Sequence, residues 1–257
     1  MTFVQSAVVQ YDVLRALILR ETRTQHGESR LGYLWAFVDP VVWVMMFYVA
    51  SEYGGRGRVL HGMGLLPFLA TGVCTFKMFT KVSSSVPGKI PDRLLAIPLV
   101  TALDVFLAKA ALQIATMTFV FVLLVYGATL VSGAFQPVDD PLRVVVGMAL
   151  ASLLGFGYGL LTTAGARVSA IASSIRSIVN RLMFWTSGMF YLAADLPSSA
   201  REIFLYNPVL HSVELVRDGW FTNFDSVYAD GTYALFFALI LLLAGLICER
   251  LTRQRVL

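Results

Sequence analysis

The two residues with the greatest potential for covalent chemistry in this chain are Ser187 and His211. Ser187-Gly188 lies in an apolar run and His211 follows in a more polar one. An intramembrane serine protease would need that hydroxyl and that imidazole in hydrogen-bond contact. The surroundings oppose it: no Gly-x-Ser-Gly frames Ser187, and His211 stands beside Glu214 and Arg217. Ser187 is more simply a small polar residue in a packed helix. Nucleotide chemistry fares no better. Gly88-Lys89 is followed by Ile90, and Ser83 occupies the place of a phosphate loop's first glycine, so the backbone cradle for phosphate oxygens is missing. The run GFGYG at 155–159 has no preceding strand and lies inside an apolar stretch. No HExxH or paired metal-ligand spacing occurs. Cys74 and Cys248 each sit in an apolar run and read as small buried hydrophobes. The expectation is a chain with no catalytic residue, no metal and no cofactor of its own.

Composition says what must position the remaining residues. Of 257 residues, 57% are hydrophobic and 14% charged, with mean hydropathy +0.72; soluble domains average roughly 45–50% and about 25%. The chain is therefore integral to a membrane. Its net charge of +4 is modest, and the absence of a Lys/Arg-rich run argues against a nucleic-acid partner. Residues 1–24 lack a continuous apolar core and carry Asp12, Arg15, Arg20, Glu21 and Arg23, unlike a cleavable signal peptide. Val4, Val8, Tyr11, Leu14 and Ile18 recur at helical spacing. That pattern predicts an amphipathic helix over 1–27 lying on the membrane surface against lipid headgroups.

A crossing helix takes about 20 mostly apolar residues. Six such segments can be read, at roughly 31–53, 63–82, 104–131, 142–166, 177–195 and 231–248. The predicted fold is an all-α integral membrane protein forming one domain over 1–257. Basic residues concentrate in alternate connections, among them Arg15, Arg20, Lys81, Lys89, Arg176 and Arg250, which puts both termini in the cytoplasm. In the fourth span Gly147, Ala151, Gly155 and Gly159 recur every fourth residue, a ridge that lets helix backbones approach closely. Residues 83–98 form a cytoplasmic loop with three prolines and a short helix around Asp92–Ala96. Residues 196–230 are too long for a turn and too polar to span. Within them Asn207 is a good N-cap and Pro208 suits the first helical position. His211, Glu214 and Arg217 or Asp218 then share one face, predicting short re-entrant helices that cap the outer side.

A six-span protein with its basic residues inside and no enzyme site is most naturally a transporter subunit. An ion-coupled carrier would show charge pairs deep in the membrane and broken helices in related halves. Here Asp39, Lys77, Asp104 and Lys109 all lie close to the predicted cytoplasmic ends, where Lys77 and Lys109 can simply snorkel to the interface. Energy is expected from another subunit.

Three segments carry a resemblance. LRALILRETRTQHGESRLGYLWAFVDP at 14–40, DVFLAKAALQ at 104–113 and YNPVLHSVELVRDG at 206–219 resemble ABC-2-type permeases that export polysaccharide, especially capsule-export permeases of the KpsM/BexB/CtrC kind. The likeness extends over essentially the whole chain, apart from the short outer loops 52–62 and 131–141. It implies a homodimer paired with two copies of an ATP-binding cassette ATPase subunit, which binds ATP and magnesium. It also implies a lipid-linked capsular polysaccharide, often acidic, as cargo moving from cytoplasm to periplasm across a bacterial inner membrane. Periplasmic adaptor and outer-membrane export proteins would continue the path. By the same resemblance the ATPase-coupling helix falls on Pro87, Gly88, Lys89, Ile90, Pro91, Asp92, Arg93 and Leu94.

The first span then has a rationale. Tyr33 and Trp35 suit the headgroup level, and Asp39-Pro40 reads as a local helix restart, with Asp39 capping free N–H groups and a kink at Pro40. With the fifth span, this helix is expected to wall a conduit at the dimer interface. Trp43, Phe47, Phe184, Trp185, Phe190 and Tyr191 would stack on sugar rings, although each ring taken alone suits a lipid- or core-facing place equally well. Arg30, Lys77, Lys109 and Arg181 would meet an acidic group at the inner mouth, or merely obey the positive-inside bias. Two alternatives stay open: export of another glycolipid polymer such as O-antigen or teichoic acid, and a membrane anchor for a polysaccharide synthase complex.

Overall fold

The structure is a computed structural model that describes residues 3–26, 32–54, 63–86, 90, 94, 97, 99–133 and 137–253. Among these residues the chain is helical, without strands. The helices are α1 (Phe3–His26), α2 (Gly32–Tyr53), α3 (Leu65–Ser85), α4 (Ala102–Val131), α5 (Pro141–Val168), α6 (Ala170–Thr186), α7 (Ser198–Phe204), α8 (Pro208–Trp220) and α9 (Gly231–Arg253), with a 3-10 turn at Ala193–Asp195. Local chemistry sets several starts. Thr101 and Asp104 form a reciprocal capping box at α4. Asp140 caps α5 ahead of Pro141, and Asn207 caps α8 ahead of Pro208, both satisfying N–H groups that the first turn leaves free.

Among the described residues four helices are long and apolar enough to cross a membrane: α3, α4, α5 and Gly231–Thr252 of α9. α2 adds 22 residues, roughly 33 Å at 1.5 Å per residue, but Asp39 lies inside it. The expected fifth span, 177–195, is placed differently. α6 starts earlier, at Ala170, and stops at Thr186. Its 17 residues reach roughly 25 Å, short of a ~30 Å hydrocarbon core. The chain turns away at Gly188, whose φ of 72° is a left-handed conformation that side chains disfavour.

α5 is the central helix, packed by α3, α8 and α9. Its glycine ridge performs the predicted role: a Cβ at Gly155 would lie 2.5 Å from the Phe79 carbonyl of α3, and one at Gly159 2.6 Å from that of Ser83. α9 leaves Leu235, Phe236, Leu239, Ile240, Leu243 and Ile247 exposed, a face suited to acyl chains. α1 packs against α4, tied by Gln10 to Asp104 and by Glu21 to Lys109 at 3.3 Å. α2 continues through Pro40. Asp39, expected as a cap, instead directs its carboxylate to Lys77 and Lys81 of α3.

Of the expected coupling segment, Ile90 and Leu94 are buried in the core. Pro87, Gly88, Lys89, Pro91, Asp92 and Arg93 lie outside the described residues, as does Arg30.

Candidate functional site: an aromatic strip with a basic end

Trp43 and Phe47 stand four residues apart on α2, hence on one face, with ring centroids 5.6 Å apart. Phe184 in the last turn of α6 packs edge-on to Trp43 at 5.3 Å. Phe47 stacks on Phe190 at 5.1 Å and 23°. Trp185 meets Phe184 at 5.3 Å and Phe190 at 5.8 Å. Phe190 meets Tyr191 at 5.1 Å, and Tyr191 meets Phe204 of α7 at 5.8 Å. All six aromatics singled out in the sequence thus form one connected strip, which Phe76 of α3 joins through Phe184 at 5.7 Å. Phe76 is buried, the six predicted rings are not, and Trp185 is 56% exposed. Offset and edge-on pairs of this kind hold one another without needing polar partners.

At the Trp43 end the strip becomes basic. The Lys77 ammonium lies 4.8 Å from the Trp43 ring centroid and 2.9 Å from Asp39. Lys81, one helical turn on, reaches the other Asp39 oxygen at 3.1 Å. The Lys77 side chain is 15% exposed, so it is held in a cation–π and ion-pair setting and does not extend freely to an interface. Lys77 and Lys81 line a cavity of about 290 Å³ together with Thr80, Ser83, Ser84, Arg176 and Asn180. Of the other expected inner-mouth residues, Arg181 is exposed on α6 and Lys109 is committed to Glu21.

The far end of the strip is held by α8, almost every residue of which is buried. Asn207 donates to the Met183 carbonyl at 3.1 Å and the Thr186 hydroxyl at 2.8 Å, both on α6. His211 donates from Nε2 to the Leu205 carbonyl at 2.8 Å and accepts the Asp230 N–H at Nδ1. The Glu214 carboxylate accepts from the Ala193 N–H at 3.1 Å and the Ser226 hydroxyl at 2.6 Å. Arg217, fully buried, donates to the carbonyls of Gly188 (2.7 Å), Met189 (2.8 Å) and Tyr191 (3.0 Å) and lies 3.8 Å from the Phe68 ring centroid. Burial pushes its guanidinium down to about 10, against the opposing pull of Glu214. Asp218 pairs with Arg143 of α5 and accepts from the Ser226 N–H at 3.0 Å. The polar side chains of α8 and its cap therefore tie together α6, the 188–193 turn, the 221–230 segment and α5.

Ser187 and His211 do not meet. The Ser187 hydroxyl donates to the Phe184 carbonyl at 2.9 Å, and both His211 nitrogens are occupied as described. Sequence reasoning missed the joint role of Asp39, Lys81, Arg176 and Asn180. The spacing of Lys77 and Lys81 by four residues signals a shared face, but their convergence with α2 and α6 is tertiary.

The sequence profile of the ABC-2 type transporter family matches residues 12–221. The capsule polysaccharide export inner-membrane protein CtrC of Neisseria meningitidis serogroup A is 26% identical over 247 residues, covering 95% of this chain and 92% of that protein. The capsule polysaccharide export inner-membrane protein BexB of Haemophilus influenzae is 27% identical over 249 residues, 96% of this chain and 93% of its own. The polysialic acid transport protein KpsM of Escherichia coli is 26% identical over 251 residues, 97% and 96% of the two chains. With the family profile covering most of its length, the chain belongs to the ABC-2 type transporter family.

Proposed function

We propose that this chain is the permease subunit of an ATP-driven exporter that moves lipid-linked capsular polysaccharide from cytoplasm to periplasm across the bacterial inner membrane. The observation that carries the reading is the end-to-end similarity to three capsule or polysialic acid export proteins. The connected aromatic strip adds a physical basis, since ring faces bind sugars loosely and in any register. In this reading α2 and α6 complete a set of six crossing helices, with α6 spanning through the turn that follows it. α1 rests on the cytoplasmic membrane surface, both termini are cytoplasmic, and the α7–α8 segment re-enters from the outer side. Two copies form the conduit, their strips facing each other. Two ATPase subunits, which hold ATP and magnesium, dock at the 87–94 segment. A periplasmic adaptor and an outer-membrane export protein receive the polymer.

Deletion of the gene in its native host, with a plasmid-borne copy as control, tests this directly. Polymer of normal chemistry should accumulate inside the cell and return to the surface on complementation. Complementation with Trp43→Glu or Phe184→Glu should leave it trapped. Normal surface polymer after deletion would refute the proposal, and loss of all polymer would favour a synthase anchor.

A further inference from the structure

The cavity between α3 and α6 has a charge imbalance that the fold alone does not require. Lys77, Lys81 and Arg176 line it, and Asp39 is the carboxylate that the two lysines share. Among the described residues Arg176 makes no ion pair. Three cations against one carboxylate leave a surplus of +2 around a space of about 290 Å³. Lysines that merely follow the positive-inside bias extend into water; Lys77 is instead mostly buried, and Lys81 folds back onto Asp39. The hydroxyls of Thr80 and Ser84 donate to carbonyls of their own helix, those of Lys77 and Lys81. The donors left for a ligand are the ammonium groups, the guanidinium, the Ser83 hydroxyl and the Asn180 amide.

We infer that this cavity binds a phosphate group, and that Asp39 is the internal anion holding the two lysines until the phosphate takes its place. A phosphomonoester carries about −1.5 to −2 charges and three acceptor oxygens, which matches the surplus. The volume lies at the low end for ligand pockets, which run from about 300 Å³ upward. It suits a headgroup and excludes a length of polymer. Trp43, under Lys77, is the first ring of the aromatic strip, so a phosphomonoester seated here lies where that strip begins. Transfer of the lysines from Asp39 to the phosphate would also loosen the clasp between α2 and α3. The inference rests on the export reading for the identity of the phosphate's carrier, but the site itself can be tested without transport.

The full chain in nanodiscs of neutral phosphatidylcholine is titrated calorimetrically with lysophosphatidic acid, lysophosphatidylcholine and inorganic phosphate. Lysophosphatidic acid should bind, more weakly as salt is raised, and lysophosphatidylcholine should not. Arg176→Gln and Lys81→Gln should each weaken binding about tenfold, as expected for loss of one charge-assisted contact, and Arg176→Lys should recover most of it. Asp39→Asn should tighten binding several-fold, because the competing anion is gone. Competition by inorganic phosphate would support a site for the free ion as well; its failure to compete would support a site for lipid-borne phosphate. Equal binding of the two lysolipids, or indifference to Arg176→Gln and Lys81→Gln in protein with unchanged melting, overturns the inference. So does weaker binding in a stably folded Asp39→Asn protein. Arg176→Gln is also tested in cells. Unimpaired capsule export with phosphate binding lost would refute the site's role and leave the exporter reading intact, whereas normal capsule after gene deletion would sink only the latter.

Discussion

Arg217 of α8 donates to the carbonyl of Gly188, 2.7 Å away behind the end of α6. The same guanidinium holds Met189 and Tyr191, so one side chain sets the course of the turn bearing Phe190 and Tyr191. The far end of the aromatic strip depends on a residue that belongs to neither of its walls.

Replacing Arg217 by Leu would take this donor from two buried carbonyls and one part-buried one. Each unsatisfied group costs about 1–3 kcal/mol, so Arg217→Leu should lose several kcal/mol, seen as a large drop in melting temperature in detergent. Arg217→Lys keeps the charge but not the fork of donors and should recover only part. A Leu variant melting with the wild type would contradict this account.

Gly72 lets α3 approach that same turn. A Cβ there would collide with the Met189 carbonyl and the Arg217 guanidinium, whereas one at Gly127 of α4 meets nothing within 4 Å. Gly72→Ala should destabilise by about 1–3 kcal/mol. Gly127→Ala should be neutral or stabilise by about 0.5–1 kcal/mol, because Gly is costly in a helix interior. Paired thermal melts decide, and a reversed order would mean that α3 and the turn are not in contact.

Asp230 starts α9. The Tyr233 N–H (2.9 Å) and then the Thr232 hydroxyl (2.7 Å) hold its carboxylate below an ordinary aspartate's value of 3.8. Since the folded value is the lower one, this stabilisation is complete above the unfolded value and fades as pH falls through the folded one. Asp230→Ala should cost about 1 kcal/mol at pH 7, as lost N-caps do, and the difference from wild type should shrink below about pH 4. A gap that stays constant from pH 7 to pH 3 would rule out the carboxylate as its source.

For the 87–94 segment, docking of the ATPase predicts that Arg93→Glu leaves the permease folded and in the membrane but separates ATP hydrolysis from export. Reconstituted complexes should hydrolyse ATP without exporting, or lose stimulation by the permease. If stimulation and export both persist, the contact lies elsewhere.

Much of this could be read along the chain because it depends on local chemistry. The Asn207-Pro208 start of α8 matches its expected place. The glycine ridge of α5 could be read because a period of four puts small residues on one helix face, whatever packs there. The end of α6 was less legible. Leu182 to Leu192 is apolar almost throughout, and hydropathy does not distinguish a helix that continues from one that turns at Gly188. What makes the turn stable is Arg217, a distant residue that supplies the donors the broken helix needs.

Composition and periodicity by themselves determined that this is a helical membrane protein and where most helices begin. Those properties follow from the transfer of side chains and backbone groups out of water, which each segment undergoes largely on its own. Only the tertiary structure decided that Asp39 serves two lysines and does not cap its helix, and that Lys109 belongs to α1. It likewise set the charged residues of α8 against the 188–193 turn, the 221–230 segment and α5. A buried charge takes whichever partner the packing brings within about 3 Å, and that choice is made between helices far apart in sequence.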